Sequence, residues 1–597
     1  SAESSRKTRP APRGTASYQR RRAVKACQVC RARRTKCDNL KPSCSFCLKV
    51  GATCIQSPVD LSSFDPASLK ILEWLDDLED LMRSTSLSSG EASNKTRVVQ
   101  ISGPRFDAAP SEPTALSMVL PPSMEEIMSW ACFQGLIADD PDSSDISPCQ
   151  QSHVGISAQS PVSALGAVDL EPLRVRHLLD NFFNYVHVKN PILDESATRK
   201  VVDSTVLNGV DWSPESCLSL LICALGSIAT PFEPSHATMP GTAAYTSAQS
   251  FFQAAQKRIG TLLSSNDIIS PQCLFLSGVF MMCNFQPRKA WRYFIQSLAH
   301  CQQLSFLSPR AQQLYCEDAQ DHPFDSLHQA VYWSAWKSER ELREHIHLPD
   351  FSPNDHGANI YPTFFPTPPA PRADGGVPMN ADSEREQTSW YFYLAEISLR
   401  RLAARIGDEM EGLQKTHISR QTFLQAAASA VSLYEAQAQE WIASLPPVLS
   451  FDAPVEEDDV CRFVLRGHAI NLFEMIYWPF LSAYLDDSGL DPFLLSLYAD
   501  LAQRALAHHH LRLIVNKPGF QHRHHGTHPL MSSCSRSALI LGAAAISNRR
   551  PLDAVQPRVG RPLTMPPGWS EAVNDVIGLL DFWSNDTKDF DKIRHLL

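Results

Sequence analysis

The chain has 597 residues, 43% hydrophobic and 20% charged, with 43 prolines; that length accommodates several domains, and the proline excess points to long irregular segments. Its net charge of −10 is unevenly spread: residues 1–50 carry fourteen Lys/Arg against Glu3 and Asp38, giving +12, and the remainder carries 40 basic and 62 acidic residues, giving −22. A basic head on an acidic body suggests a polyanion as its partner. A secretory leader and a membrane partner are not expected, because the N-terminal stretch has no apolar core and "CLSLLICALGSIA" and "ALILGAAAIS" fall short of the roughly 18–20 residues of a bilayer span.

Residues 1–22 are basic and polar and read as a disordered tail, with "RRRAVK" at 20–25 open to two uses, phosphate contact or nuclear address. Residues 23–56 hold six cysteines within 28 positions. Residues 57–83 comprise a linker and a helix that Asp65 caps and Pro66 opens. Ile71, Trp74, Leu78 and Leu81 recur there at heptad spacing, so this helix is a candidate dimerisation seam; an amphipathic helix packing on its own chain is the alternative. Residues 84–168 are rich in Ser, Pro, Ala and Gly and read as a disordered linker. Within them, 123–145 mixes apolar residues with an acidic flank. It reads either as an activation segment or as a helix docking on the main domain.

Residues 169–597 read as one large all-α domain. Helical spacing of apolar residues marks 170–188, 213–229, 244–263, 288–304, 328–346, 389–410, 420–445, 462–485, 492–514 and 533–547. A Pro-rich loop interrupts the domain at about 348–376. The fold class is therefore mostly α: a small cysteine module, a short coiled-coil helix, a disordered linker and a large helical domain. Lys337 and Glu339 read as a buried-edge ion pair. His508, His509, His510, His522, His524, His525 and His528 are numerous, but adjacent histidines on a helix diverge and no acid or thiol completes a ligand set. No phosphate-binding loop, nucleophile elbow or zinc-protease motif is present, and no enzyme activity is expected.

The cysteine block has the spacing C-x2-C-x6-C-x6-C-x2-C-x6-C, which is one trio, Cys27, Cys30 and Cys37, followed by its duplicate, Cys44, Cys47 and Cys54. A disulfide framework is disfavoured, since the other ten cysteines are scattered in the manner of a reducing compartment. A single four-cysteine zinc site leaves two thiols without a role. Two tetrahedral zinc ions need eight thiolate contacts, which six cysteines supply if two of them bridge. Six thiolates and two dications leave a charge of −2, and the six Lys/Arg between Cys27 and Cys54 offset it. So short a segment has almost no apolar core, so metal ligation supplies most of its folding energy.

The six cysteines at this spacing, the basic "RARRTK" and the loop "KPSC" resemble the fungal binuclear zinc cluster family of transcription factors. The resemblance implies two zinc ions per chain, with Cys27 and Cys44 bridging, Cys30 and Cys37 completing one site and Cys47 and Cys54 the other. It implies binding of double-stranded DNA at CGG-type triplets, regulation of transcription by RNA polymerase II, a nuclear location, dimerisation through the helix that follows, and co-regulator partners. The large helical domain resembles the fungal-specific regulatory domain, on "YWSAWKSERELREHI", "YPTFFPTPP" and "HRHHGT…SCSRSALILGAAAIS".

Charge separates the two cysteine trios: the first x6 is "RARRTK", with four basic residues, and the second is "LKVGAT", with one. The first is therefore expected to meet DNA. Arg33 and Arg34 are the candidates for guanine edges, and Arg31, Lys36 and Lys41 for phosphates. A homodimer doubles a half-site too short to be selective alone. The alternative is a zinc-scaffolded interaction or co-regulatory protein without specific DNA binding, which the charged "RARRTK" face disfavours.

Overall fold

Every regular element among the described residues is a helix. The computed structural model describes residues 27, 29–30, 33, 35–38, 40, 42–54, 121–134, 169–304, 323–346, 348, 365–369, 381–417, 419–485, 492–549 and 563–597. Residues 1–22, the seam residues Ile71, Trp74, Leu78 and Leu81, and most of the Pro-rich loop lie outside them. The chain divides into two units, Ser1–Ser111 and Glu112–Leu597.

In the first unit the one helix described at length is α1, Ser45–Val50. It starts where the Cys44 thiol accepts the Cys47 N–H and stops at Gly51, whose φ of 67° is the left-handed conformation that glycine adopts without a Cβ clash. Among the described residues of this unit the buried side chains are Cys27, Cys30, Cys44 and Cys47. Apart from Cys37 and Cys54, only Val29 and Phe46 among the described residues pack against them, both partly buried, so burial of apolar area contributes little to holding this described part together.

The second unit begins with α2, Met124–Met128, capped by the Ser123 hydroxyl. It lies within 123–145, read from the sequence either as an activation segment or as a helix docking on the main domain, and Ile127 and Phe133 are buried in the main core. Two large apolar side chains one turn and a half apart give this short segment an anchor that the Ser- and Pro-rich residues around it lack. The helices that follow are α3 Pro172–Asn181, α4 Glu195–Asn208, α5 Pro214–Ile228, α6 Ala243–Gln256, α7 Ile259–Leu262, α8 Ile269–Cys283, α9 Pro287–Cys301 and α10 Pro323–His345. Then come α11 Ala381–Thr416, α12 Arg420–Ala443, α13 Val460–Leu485, α14 Pro492–Leu497, α15 Ala499–Asn516, α16 Thr527–Arg549, α17 Trp569–Phe582 and α18 Asp591–Leu596. Local chemistry sets many of the starts. Glu171, Asp194, Ser213, Thr242 and Ser419 each accept a backbone N–H of the first turn, and Pro172 and Pro214 occupy first-turn positions where no N–H is needed.

Two apolar cores form. One is built from α3 to α10; the other takes α12 to α18 together with α2. The long helix α11 serves both. Trp390, Tyr393 and Ile397 face the first core, and Phe392, Leu399, Ile406 and Met410 face the second. Helix α8 escapes a periodicity search because it is apolar on every side: all its residues from Ser270 to Cys283 are buried. The stretch Thr527–Asn548 of α16 is longer than "ALILGAAAIS" suggests and is long and apolar enough to cross a bilayer, but 67% of its most apolar 18 residues are buried inside the domain. Met531, Cys534, Ala538, Leu539, Ile540 and Leu541 make it a core helix.

Lys337 and Glu339 are both buried, but they do not pair with each other. Residues two apart on a helix face different directions. Lys337 Nζ lies 2.5 Å from Glu396, while Glu339 accepts from Arg343 at 2.8 Å and from the Trp291 indole N–H at 2.9 Å. The histidines of α15 diverge likewise: His508 stacks on Phe473 and Tyr477, and His509 bonds the Ser537 hydroxyl at 3.0 Å.

Candidate metal centre and nucleic-acid interface

The two cysteine trios fold into the same local structure twice. The Cys30 N–H points at Cys27 Sγ (3.4 Å), and in the second trio the Cys47 N–H points at Cys44 Sγ (3.5 Å). The Cys27 N–H reaches Cys37 Sγ (3.5 Å), and the Cys44 N–H reaches Cys54 Sγ (3.3 Å). Each C-x2-C opens a helical turn that closes with an N–H from the fifth residue on, Thr35 to Cys30 O and Ala52 to Cys47 O, both at 3.0 Å. Backbone amides aimed at sulfur favour the thiolate that a metal requires and orient it.

The sulfurs assemble into two groups of four, Cys27, Cys30, Cys37 and Cys44, and Cys27, Cys44, Cys47 and Cys54. Within each group the ligand atoms all lie within 4.8 Å of one another. Cys27 and Cys44 belong to both groups. Four sulfurs at about 2.3 Å from one zinc stand about 3.8 Å apart at the corners of a tetrahedron. Cys27 and Cys44 are 3.6 Å apart, Cys27 and Cys47 3.5 Å, and Cys30 and Cys44 3.5 Å. The donor set thus fits two tetrahedral ions sharing an edge. Free of metal, these thiols differ in acidity. The Cys30 amide foremost pulls Cys27 down to about 6, whereas burial pushes Cys30 up to about 12. Metal loading must therefore displace protons.

Asp38 ties the two trios together, a role that the sequence reading did not assign. Its carboxylate accepts the Ser45 N–H at 3.1 and 3.3 Å and also the Ser45 hydroxyl, and these bonds hold its pKa below the ordinary value. An acid directly after the third cysteine, in so basic a segment, was the available signal. It supplies a negative group to the first turn of α1, where the helix dipole favours one.

Arg33 and Lys36 are exposed, and neither is held in an ion pair with another described residue. Arg31, Arg34 and Lys41 lie outside the described residues, as do the four seam residues. On the second half, Leu48 and Val50 are exposed at 70% and 45%.

Residues 25–61 match the family described as the fungal Zn(2)-Cys(6) binuclear cluster domain. Over a longer span the chain is similar to the Putative transcription factor ecdB of Aspergillus rugulosus, 24% identical over 451 residues that cover 72% of each protein. Two other similarities are short. The Oleate activated transcription factor 3 of Kluyveromyces lactis is 48% identical over 60 residues, 10% of this chain and 9% of that one. An ABC-transporter-regulating transcription factor of Aspergillus fumigatus is 33% identical over 81 residues, 13% and 9% of the two chains. No solved structure matches the chain. The domain at residues 25–61 holds two zinc ions through six cysteines.

Proposed function

We propose that this chain, which carries a fungal Zn(2)-Cys(6) binuclear cluster domain at residues 25–61, is a sequence-specific DNA-binding regulator of transcription. The observation that carries the reading is the pair of four-sulfur groups sharing Cys27 and Cys44, with basic residues concentrated beside the first trio alone. Cys27 and Cys44 bridge the two ions, Cys30 and Cys37 complete one, and Cys47 and Cys54 the other. The ions fix the turn after Cys30, and that turn presents Arg33 and Arg34 to guanine edges of a CGG-type triplet. Arg31, Lys36 and Lys41 contact phosphates and set the register.

One triplet is too short to be selective in a genome, so two chains act together. Ile71, Trp74, Leu78 and Leu81 form the dimer seam, and the residues between Cys54 and that helix set the half-site spacing. The protein works in the nucleus, on genes transcribed by RNA polymerase II, with the helical domain receiving regulatory input and engaging co-regulators.

Selection of bound sequences from a random duplex library by the zinc-loaded full chain tests this. Enrichment of paired CGG-type triplets is the expected result. Absence of any enriched sequence would reject it in favour of a zinc-scaffolded interaction protein.

A further inference from the structure

The domain that α2 packs on uses only part of the chemistry of that segment. From Ser123 to Asp145 the sequence carries Glu125, Glu126, Asp139, Asp140, Asp142 and Asp145, and no lysine or arginine. The apolar residues do the docking. Ile127 and Phe133 are buried, and Met124, Met128, Trp130 and Cys132 pack on the same core at partial burial. Helix α16 is the element that α2 lies against.

Side chains hold this segment in place. Its backbone hydrogen bonds to described residues run within the segment itself: the Ile127 N–H donates to Ser123 O at 3.0 Å, Ser129 to Glu125 and Glu126, Trp130 to Ile127 at 3.0 Å, and Phe133 to Trp130 at 2.9 Å. Glu125 is exposed and Glu126 half-buried, and neither is in an ion pair with another described residue. The fit is also incomplete. The Trp130 indole N–H is buried without an acceptor among the described residues, which costs stability in the docked form. A helix of five residues has no stability of its own in water, so the segment stays folded only while docked. Residues 135–168 join it to the residues before α3, and a chain of that length can span about 100 Å. Departure of the segment therefore does not require the domain to unfold.

Docking and activation make opposite demands on the same side chains. An acidic amphipathic segment engages a partner by laying its apolar residues in a groove while its acids meet cations on the rim. Here Ile127 and Phe133 are already buried against the segment's own domain, so no partner can take them up at the same time. The acids are the surplus: a segment needed only to cover α16 has no use for so many without a cation among them. Release exposes Ile127, Phe133 and the part of the core they cover, so the docked form dominates until a partner accepts the segment.

On the reading of this chain as a regulator of transcription, we propose that Met124–Phe133 is a releasable latch. Docked against α16, it withholds an activating segment. Taken up by a co-regulator whose groove is apolar and rimmed with lysine or arginine, it leaves the domain and folds on that partner. The helical domain and the co-regulator thus compete for one peptide.

The test uses the zinc-loaded full chain and a fluorescent peptide of residues 121–134. In the parent, the amides of Ile127, Ser129, Trp130 and Phe133 are expected to exchange at least about tenfold faster than those of Ala538 to Leu541 in α16, because the latch opens without the core. Ile127→Ser and Phe133→Ser each remove one anchor and leave the other for the partner. Both are expected to lose protection over 124–133, to keep it in α13 and α16, and to bind the peptide saturably. The parent, whose groove is filled, is expected to bind it at least about tenfold more weakly. In a reporter driven by a site that the full chain selects, both variants are expected to raise transcription with DNA affinity unchanged. Exchange of the segment in step with α16 overturns the proposal, as does absence of peptide binding to either variant, or reporter output that does not rise in either while their cores stay protected. Should neither variant fold, the exchange arm on the parent chain decides the question alone. A parent chain that neither binds DNA nor drives the reporter speaks against the regulator reading, and the exchange and peptide arms still judge the latch.

Discussion

Replacing Cys44 with alanine removes a sulfur that belongs to both four-sulfur groups, whereas replacing Cys37 removes one that belongs to a single group. Cys44→Ala thus strips two of eight metal–thiolate contacts and Cys37→Ala one. A structural zinc of this kind binds with about 10–16 kcal/mol, so losing a quarter of one ion's ligands costs about 3–4 kcal/mol, a factor of about 10²–10³ in affinity. For Cys44→Ala the loss falls on both ions, and the expected factor is about the square of that. Among its described residues the module has little apolar core to absorb it, since the buried side chains are the cysteines and only Val29 and Phe46 pack against them. Cys44 also caps α1 through the Cys47 N–H, which adds to the penalty. Zinc content after competition with a graded chelator series measures both variants against the parent chain. Cys37→Ala is expected to keep one ion under conditions in which Cys44→Ala keeps none. Equal retention by the two variants would refute the shared-sulfur arrangement.

Gly226→Ala places a Cβ 2.1 Å from the Leu178 carbonyl oxygen, where α5 packs on the backbone of α3. Backbone cannot yield as a side-chain tip does, so a loss of about 2–4 kcal/mol and a lower Tm of the helical domain are expected. Glu474 is buried, which alone raises its pKa, but Arg512, Arg536 and His509 outweigh burial and hold it at about 2. A depressed carboxyl contributes stability that is complete above its unfolded value near 4.5 and lost as pH falls toward 2. Urea midpoints between pH 6 and pH 3 should decline by an amount corresponding to about 2 kcal/mol, and Glu474→Gln should start lower and decline less. Arg33→Ala is expected to relax base preference in a binding-site selection. Lys36→Ala should instead weaken binding to all sequences alike and reduce the salt slope by about one; identical behaviour of the two contradicts the division between base and phosphate contacts.

Much of this was readable from residues alone, for a reason that differs between the two units. A zinc site is written in spacing: six thiols at fixed intervals can be assigned before any coordinates exist, and the two four-sulfur groups contain those six and no other residue. The helical domain is written in periodicity, which is plainest where burial is one-sided, although α5 was found too and is buried from Ser216 to Ile228. Helix α9 exposes one face and was found; α8 is buried all round and carries no period to find. Longer-range pairings were not legible. Lys337 finds Glu396 and not Glu339, and Glu474 gathers Arg512 and Arg536 across 38 and 62 residues. Such partners are set by how helices pack, which local sequence does not encode. A small cavity at Lys189 belongs to the same class. His522, His524 and His525 were conspicuous in the sequence, but Lys189, which lines the same cavity, lies in a distant part of the chain, after α3.

The duplicated backbone of the cysteine module narrows where its asymmetry can reside. Three hydrogen bonds of the first half recur in the second, between corresponding residues and at closely similar lengths. Fold and metal geometry therefore treat the halves as equivalent, and neither can decide which half meets a polyanion. With Cys44 aligned on Cys27, Leu48 stands where the first half has Arg31, and Val50 where it has Arg33. Leu48 and Val50 are both solvent-exposed, so the positions they mark are outward-facing in the copy where they are described. Selectivity between the halves thus rests on side chains that the shared scaffold does not need. Such exposed positions bear little on folding, which leaves the exposed Arg33 available for a contact outside the chain.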